Sequence, residues 1–190
     1  MPDRQFPIVI APAGDDVRGK ELVFRYVTTG YYDVSCTARP EGWTITLERR
    51  PFSEPVERQF TDTLLSDWLE APQVYAAMVG GAVRGYLELS HEQWNNRMRI
   101  SNIWVKEGHR RLGVGPALMA KAEESARAAG ARSLVLETQS CNEPAIRFYL
   151  RQGFALAGLD LTAYSQSDVD RREVRLELAR PVSAKVKEEL

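Results

Sequence analysis

Two arginines and two glycines stand together in the stretch Arg110-Arg111-Leu112-Gly113-Val114-Gly115, between an apolar run and a helical pattern. The first turn of a helix offers unpaired backbone N–H groups and the positive end of the helix dipole. Glycine lets a ligand approach the backbone closely, and arginine adds local positive charge. The stretch therefore suits a bound pyrophosphate. A tight strand-to-helix turn with two solvated arginines is the alternative interpretation.

Spacing excludes two common phosphate-binding motifs at this corner. The dinucleotide fingerprint requires a third glycine where Leu118 stands, and it belongs near the first strand of a doubly wound unit. A P-loop would end in Gly-Lys followed by Ser or Thr, and the stretch has no such triplet. The pyrophosphate hypothesis therefore requires a different kind of corner.

Strands and helices are predicted to alternate in the second half of the chain. Residues 97–107 form a strand that is apolar on both faces at its centre, which is typical of a central position in a covered sheet. A helix follows, with Pro116 in its first turn and Gly130 at its end. The remaining elements are a strand at 132–139, a helix capped by Asn142 and closed by Gly153, and an antiparallel pair at 154–164 and 172–179.

The first half of the chain is predicted to be rich in strands. Residues 1–14 form a strand or an arm, and 31–50 form a hairpin that turns at Pro40–Gly42. Residues 60–72 are predicted to form a short helix, and 74–90 two strands around a Gly-Gly turn. The whole pattern favours an α/β (α+β) fold in which helices cover a mixed sheet.

Composition narrows the function classes. The 190 residues are 44% hydrophobic and 27% charged, as expected for one globular domain. Because the net charge is −1 and the pI is about 6.2, no broad field attracts nucleic acid or an anionic membrane. The cysteines Cys36 and Cys141 and the histidines His91 and His109 have no zinc-site spacing and indicate no disulfide scaffold. We expect a cytoplasmic protein without nucleic-acid or membrane partners.

Two landmarks in the second half resemble the GNAT N-acetyltransferases. Residues 110–115 match that family's acyl-coenzyme A motif: Gln or Arg, two residues, Gly, one residue, then Gly or Ala. Residues 136–154, LETQSCNEPAIRFYLRQGF, resemble its second landmark, and together the two cover 98–165. The second landmark and EGWTITL at 41–47 are most similar to the streptothricin acetyltransferases. Ribosomal-protein alanine N-acetyltransferases share much of the second landmark.

The resemblance implies a GNAT acyl-CoA N-acyltransferase fold, with a mostly antiparallel central sheet and helices on both faces. It implies one domain over 1–190, with an acceptor-side half at 1–95, an acetyl-CoA-binding half at 96–180 and a frayed tail at 183–190. Acetyl-CoA would be the cosubstrate, without a metal, and a small-molecule amine such as a streptothricin-like antibiotic the acceptor. A peptide or protein N-terminal acetyltransferase and a non-catalytic acyl-CoA-binding module are the alternatives. A homodimer is left open.

The family motifs also imply a set of coenzyme-binding residues. The pyrophosphate would rest on the backbone amides of Arg111–Gly115, with Arg110 opening the loop, and Arg111 stands where family members often have glycine. Backbone groups of Ile103 and Val105 would hold the acetyl carbonyl and the pantetheine arm. The full implied set is Ile103, Trp104, Val105, Arg110, Arg111, Leu112, Gly113, Val114, Gly115, Pro116, Asn142, Ala145, Phe148 and Tyr149.

The catalytic assignments concern a proton donor and a base. Tyr149 is the candidate donor to the departing thiolate, with a plain buried tyrosine as the alternative. Streptothricin enzymes carry an acidic pair where this chain has Ser101-Asn102. Glu137, which matches the family's Leu-Glu-Thr-Gln, is therefore the first candidate base, and Glu88 is the second.

Overall fold

The computed structural model describes residues 6–182, which divide into two compact units. The first contains the residues up to Phe24, Thr61–Val135 and the residues from Arg180 onward, and the second contains Arg25–Phe60 and Leu136–Ala179. Each unit thus combines segments that are distant in the sequence. A single domain over 1–190 stays a prediction, and the predicted frayed tail at 183–190 lies outside the described residues.

Nine strands and three α-helices are found within residues 6–182. The strands are β1 (Ile8–Pro12), β2 (Glu21–Arg39), β3 (Gly42–Thr63), β4 (Gln73–Val79), β5 (Ala82–Glu92), β6 (Arg97–Val105), β7 (Ser133–Gln139), β8 (Ala155–Asp160) and β9 (Arg175–Pro181). The helices are α1 (Val114–Ala128), α2 (Glu143–Arg151) and the unpredicted single turn α3 (Asp168–Arg171), and a 3₁₀ turn lies at Asp15–Val17. In this described part of the chain, no helix is both long and apolar enough to cross a bilayer.

The first unit holds strands in the order β1-β4-β5-β6-β7. The pairs β1/β4, β4/β5 and β5/β6 are antiparallel, whereas Arg97–Arg99 of β6 pair in parallel with Ser133–Val135 of β7. The predicted mixed, mostly antiparallel sheet is therefore confirmed, as is the central position of β6. The turn between β4 and β5 is the predicted Gly80-Gly81, and both glycines have positive φ.

Helix α1 packs on this sheet through a stripe of buried residues. Leu118, Ala122 and Ala126 are fully buried, as the helical spacing predicts. The helix comes so close to β5 that a Cβ on Gly85 would lie 3.0 Å from Val114 Cγ1 and 2.8 Å from the Trp104 carbonyl oxygen. Position 85 therefore requires glycine, because α1 packs too close to β5 to leave room for a side chain.

In the second unit, the strand order is β7-β9-β8, and β2 and β3 form a separate two-stranded sheet. The predicted hairpin is confirmed, because β2 ends at Arg39 and β3 begins at Gly42, although both strands are longer than expected. The predicted antiparallel pair of β8 and β9 is also confirmed. The hydrophobic core of the second unit contains Val34, Ile146, Val174 and Leu176.

The helix predicted at 60–72 is wrong. Strand β3 extends into this segment, and the remainder consists of turns. Leu64 and Leu65 are both buried, and their backbone N–H groups donate to the Lys20 carbonyl (3.0 Å) and to the Glu88 carboxylate (2.6 Å). Leu65 has a positive φ of 57°. Tertiary hydrogen bonds and burial therefore override the local helical pattern.

Replacing Gly85 with alanine should destabilise the first unit. The added methyl group overpacks the contact with α1, and we expect a loss of about 1–3 kcal/mol in the free energy of unfolding. Gly158→Ala is the matched control, because the nearest atom to a Cβ there is 4.0 Å away. Thermal and denaturant unfolding of both variants would measure the difference. Equal stability of the two variants would contradict the close-approach argument.

Candidate active site

The corner at 110–115 is a loop that leaves β6 and enters α1. Early in the loop, the Lys106 amide donates to the Arg84 carbonyl (2.8 Å) and the His109 amide donates to the Lys106 carbonyl (3.0 Å). Within residues 6–182, by contrast, the backbone amides of Arg111–Gly115 donate to no protein acceptor. Five consecutive free N–H groups at a helix N-terminus form a concentrated anion-binding surface.

Two left-handed residues shape this loop. Gly113, the N-cap of α1, has φ 88°, and Arg111 has φ 64°. Glycine adopts this conformation freely, whereas an L-residue with a Cβ pays about 1–2 kcal/mol. Arg111 bears this strain, and its exposed side chain adds a positive charge to the loop.

The predicted pantetheine-binding stretch, Ile103–Val105, is the last part of β6 and is half-buried. Its residues pair with Leu87, Tyr86 and Gly85 of β5. The indole Nε1 of Trp104 donates to the Val23 carbonyl (2.9 Å), so this side chain anchors the strand within the unit. The indole nitrogen of Trp104 is therefore not available to a ligand.

A β-bulge lies just before this stretch. Glu88 is opposite Asn102, and the next residue, Leu89, is opposite Ile100, which leaves Ser101 as an extra residue on β6. The hydroxyl oxygen of Ser101 is enclosed and has no hydrogen-bond partner among the described residues. Ser101 and Asn102 therefore differ in their surroundings, because Asn102 is hydrogen-bonded across the sheet.

Glu88 is completely buried. One carboxylate oxygen accepts from the Leu65 amide (2.6 Å), and the other accepts from Nδ2 of Asn102 (2.9 Å). Burial raises the pKa of this carboxyl group, and the two hydrogen bonds partly oppose that rise. Because both oxygens are engaged and enclosed, Glu88 is unsuited to act as a direct base. The sequence did not reveal its partner, since the pairing depends on the register of β5 and β6.

In the second unit, Asn142 caps α2. Its side-chain oxygen accepts from the Ala145 amide (3.3 Å), as predicted. The adjacent Glu143 is buried and ion-paired with Arg49 (2.6 Å) and Arg147 (3.0 Å). The hydrogen bond from Arg49 is the main cause that lowers the pKa of Glu143. The ion pairs therefore anchor the start of α2, where Asn142 and the half-buried Ala145 lie.

Tyr149 lies on α2 and is 8% exposed. Its ring packs near those of Phe148 and Phe154, with centroids 5.4 and 6.0 Å away. Within residues 6–182, its hydroxyl group has no hydrogen-bond partner among the protein atoms. Burial raises the pKa of this phenol, so it remains protonated at neutral pH. A protonated phenol without a protein partner has the chemistry of a proton donor.

Glu137 is exposed on β7. Its carboxylate lies 3.4 Å from Arg175, whose guanidinium also lies 3.9 Å from Asp160. Half-exposed ion pairs of this kind are weak, so Glu137 is available to solvent and to a ligand. No sequence pattern indicates Arg175 as its partner.

The predicted site residues are distributed over both units. The first contains Ile103, Trp104, Val105, Arg110, Arg111, Leu112, Gly113, Val114, Gly115 and Pro116, and the second contains Glu137, Asn142, Ala145, Phe148 and Tyr149. The Glu88–Asn102 pair lies in the first unit, with the loop and the strand that leads to it.

Comparison with protein families and curated proteins gives consistent matches. The model of the acetyltransferase (GNAT) family matches residues 43–154. Streptothricin acetyltransferase of Streptomyces lavendulae is 33% identical over 162 residues, which cover 81% of this chain and 84% of that protein. Streptothricin acetyltransferase A of Bacillus subtilis (strain 168) is 33% identical over 130 residues, or 65% of this chain and 71% of the relative.

Solved structures support the same fold. The crystal structure of nourseothricin acetyltransferase is 31% identical, with a TM-score of 0.71, and the match covers 93% of this chain and 99% of that one. A Bacillus anthracis structure in complex with acetyl coenzyme A matches with a TM-score of 0.66 over 92% of this chain and 99% of that one. Its identity is 21%, so it shows the fold alone. The chain therefore belongs to the GNAT family of acetyltransferases, and acetyl-CoA-dependent acetyl transfer to an amine is its activity.

Proposed function

We propose that this protein acetylates a primary amine of a small, cationic antibiotic of the streptothricin class. The observation that carries the proposal is the 33% identity to the Streptomyces lavendulae streptothricin acetyltransferase across 84% of that enzyme's length. Similarity of this extent includes more than the coenzyme-binding motifs, so it also covers residues available to bind the acceptor. The near-neutral net charge of −1 gives no broad acidic surface for a long basic peptide.

The loop at 110–115 is the proposed site for the pyrophosphate of acetyl-CoA. Support comes from the free amides of Arg111–Gly115 and the positive charges of Arg110 and Arg111. Leu112, Val114 and Pro116 would contribute backbone or apolar contacts at the same corner. Backbone groups of Ile103–Val105 would bind the pantetheine arm, and we propose no role for a metal.

The proposed chemistry is direct attack of the acceptor nitrogen on the thioester carbonyl. The amine must be neutral, because an ammonium ion has no lone pair and a lysine-like amine has a pKa of about 10.4. Glu137 is the proposed base that takes the amine proton. The C–N bond forms, the C–S bond breaks, and Tyr149 gives its proton to the departing thiolate. Asn142, Ala145 and Phe148 are proposed coenzyme contacts in the second unit.

We place this activity in the cytoplasm, where Cys36 and Cys141, both free thiols, would stay reduced. There the enzyme would act on antibiotic that has entered the cell. Acetylation removes a positive charge from the acceptor, which is the chemistry of an antibiotic-resistance function.

A panel of acceptor amines tests the proposed substrate class. With acetyl-CoA as donor, release of free coenzyme A thiol should be fastest with streptothricin, weaker with simple polyamines and slow with peptides that carry a free N-terminus. Mass spectrometry of the product should show one added acetyl group on the streptothricin. Fast acetylation of peptides together with inert streptothricin would instead support a protein N-terminal acetyltransferase.

The pyrophosphate site can be tested with a pair of loop variants. Gly113→Asp adds a side chain and a negative charge beside the free amides, and we expect at least a tenfold loss of acetyl-CoA affinity by calorimetry. Gly108→Asp is the matched control, because Gly108 has a similar φ of 79° but lies outside Arg111–Gly115. If both variants bind acetyl-CoA as the unmodified protein does, the loop does not hold the pyrophosphate.

The role of Tyr149 can be tested with Tyr149→Phe. The change keeps the ring packing and removes the proton donor, so kcat should fall by a factor on the order of 10²–10⁴ while acetyl-CoA affinity stays nearly normal. Tyr86→Phe is the control, because Tyr86 is another buried tyrosine whose hydroxyl has no protein partner among the described residues. Full activity of Tyr149→Phe would show that Tyr149 serves only in packing.

A further inference from the structure

The Glu88–Asn102 pair fixes the orientation of a buried amide. Asn102 is 6% exposed, and its Nδ2 donates to the Glu88 carboxylate at 2.9 Å. A carboxylate only accepts hydrogen bonds, so it pairs with the NH₂ group of the amide and not with the carbonyl oxygen. Rotation of the amide by half a turn would set two acceptors against each other. Glu88 therefore determines that Oδ1 of Asn102 is the atom directed away from it.

Oδ1 of Asn102 accepts no hydrogen bond from any of the described residues. This oxygen is not completely enclosed, so a donor from outside the protein can reach it. The free atom is acceptor-only, so the ligand that satisfies it must present an N–H or O–H group.

The position of Asn102 along β6 connects this acceptor with the coenzyme stretch. Asn102 directly precedes Ile103–Val105, and the strand rises about 3.3 Å per residue, which puts its Cα about 10 Å from that of Val105. The bulge at Ser101 locally disturbs the pairing with β5 at the same point. Asn102, the bulge and the loop at 110–115 all belong to the first unit.

We propose that Oδ1 of Asn102 accepts a hydrogen bond from the acceptor amine, and that Glu88 is the positioning residue that holds the amide for this contact. The inference rests on the proposed function, in which the acceptor is a small cationic amine. A neutral amine uses its lone pair in the attack, so its N–H groups are free to donate. As the C–N bond forms, the nitrogen becomes positively charged, and the hydrogen bond to Oδ1 strengthens. Asn102 takes no proton; it stabilises the developing charge.

Steady-state kinetics with streptothricin, or the best amine of the panel, test this proposal in four proteins: the unmodified protein, Asn102→Ala, Glu88→Gln and the double variant. Asn102→Ala should lower kcat/KM for the acceptor about 10- to 100-fold and leave acetyl-CoA affinity unchanged. Glu88→Gln keeps the size of the side chain but can accept or donate, so the amide loses its fixed orientation. We expect it to lower kcat/KM about 3- to 10-fold alone and to have little further effect in the double variant.

Ser90→Ala separates positioning from stability. Ser90 also lies on β5, is buried, and donates to the Glu70 carbonyl (2.7 Å), so it ties β5 to the 64–72 segment as Glu88 does through Leu65. It should lower the unfolding temperature without changing acceptor kinetics. Kinetics for Glu88→Gln that match those of Ser90→Ala, or an undiminished Glu88→Gln effect in the double variant, would overturn the positioning role.

The Asn102→Ala variant alone tests the contact between Oδ1 of Asn102 and the acceptor amine. The test therefore remains decisive even if Glu88→Gln does not fold. Unchanged kcat/KM for the acceptor in a folded Asn102→Ala protein would overturn the contact. Failure of the proposed function would be visible separately, as the absence of turnover by the unmodified protein with every amine of the panel.

Discussion

The antiparallel pairing of β5 with β6 is the constraint on which the site in the first unit depends. One register places Gly85 opposite Val105 and Glu88 opposite Asn102. The first pair leaves room for α1, because any larger residue at Gly85 would collide with the helix and with β6. The second pair joins two polar side chains in the core. A slip of one residue would reverse the side chains of β5 and abolish both arrangements.

Packing and binding are coupled at the start of α1. Val114 is the first residue of the helix, and its side chain packs against Gly85. The backbone amide of Val114 is also one of the five that donate to no protein acceptor among the described residues. The unpaired N–H groups are held in place by a buried side chain and not by hydrogen bonds of their own. The strained conformation of Arg111 is tolerated because the strand and helix on either side fix the ends of the loop. Such preorganisation leaves the amides ready for an anion.

In the second unit, a buried charge holds a helix that carries predicted site residues. Glu143 is enclosed at the first turn of α2, where its charge is favourable to the helix dipole and is balanced by Arg49 and Arg147. Gly30 permits this arrangement, since a Cβ there would lie 2.9 Å from both the Arg49 guanidinium and the Glu143 carboxylate. Replacing both arginines would leave the buried Glu143 carboxylate without a cationic partner. The ion pairs thereby hold the helix that carries Asn142 and Tyr149.

Local sequence patterns were sufficient to predict most secondary-structure elements of this protein and to identify its family. The glycines at 113 and 115, the Asn142 cap and the Gly-Gly turn each act within a few residues, so spacing alone located them. Only the tertiary structure decided what depends on distant residues. The segment at 60–72 has a helical pattern, but its amides bond to Lys20 and Glu88. Glu88 meets Asn102 through strand register, and Glu137 meets Arg175, 38 positions further along the chain. Chain folding, not local propensity, creates these contacts, so no local pattern could predict them.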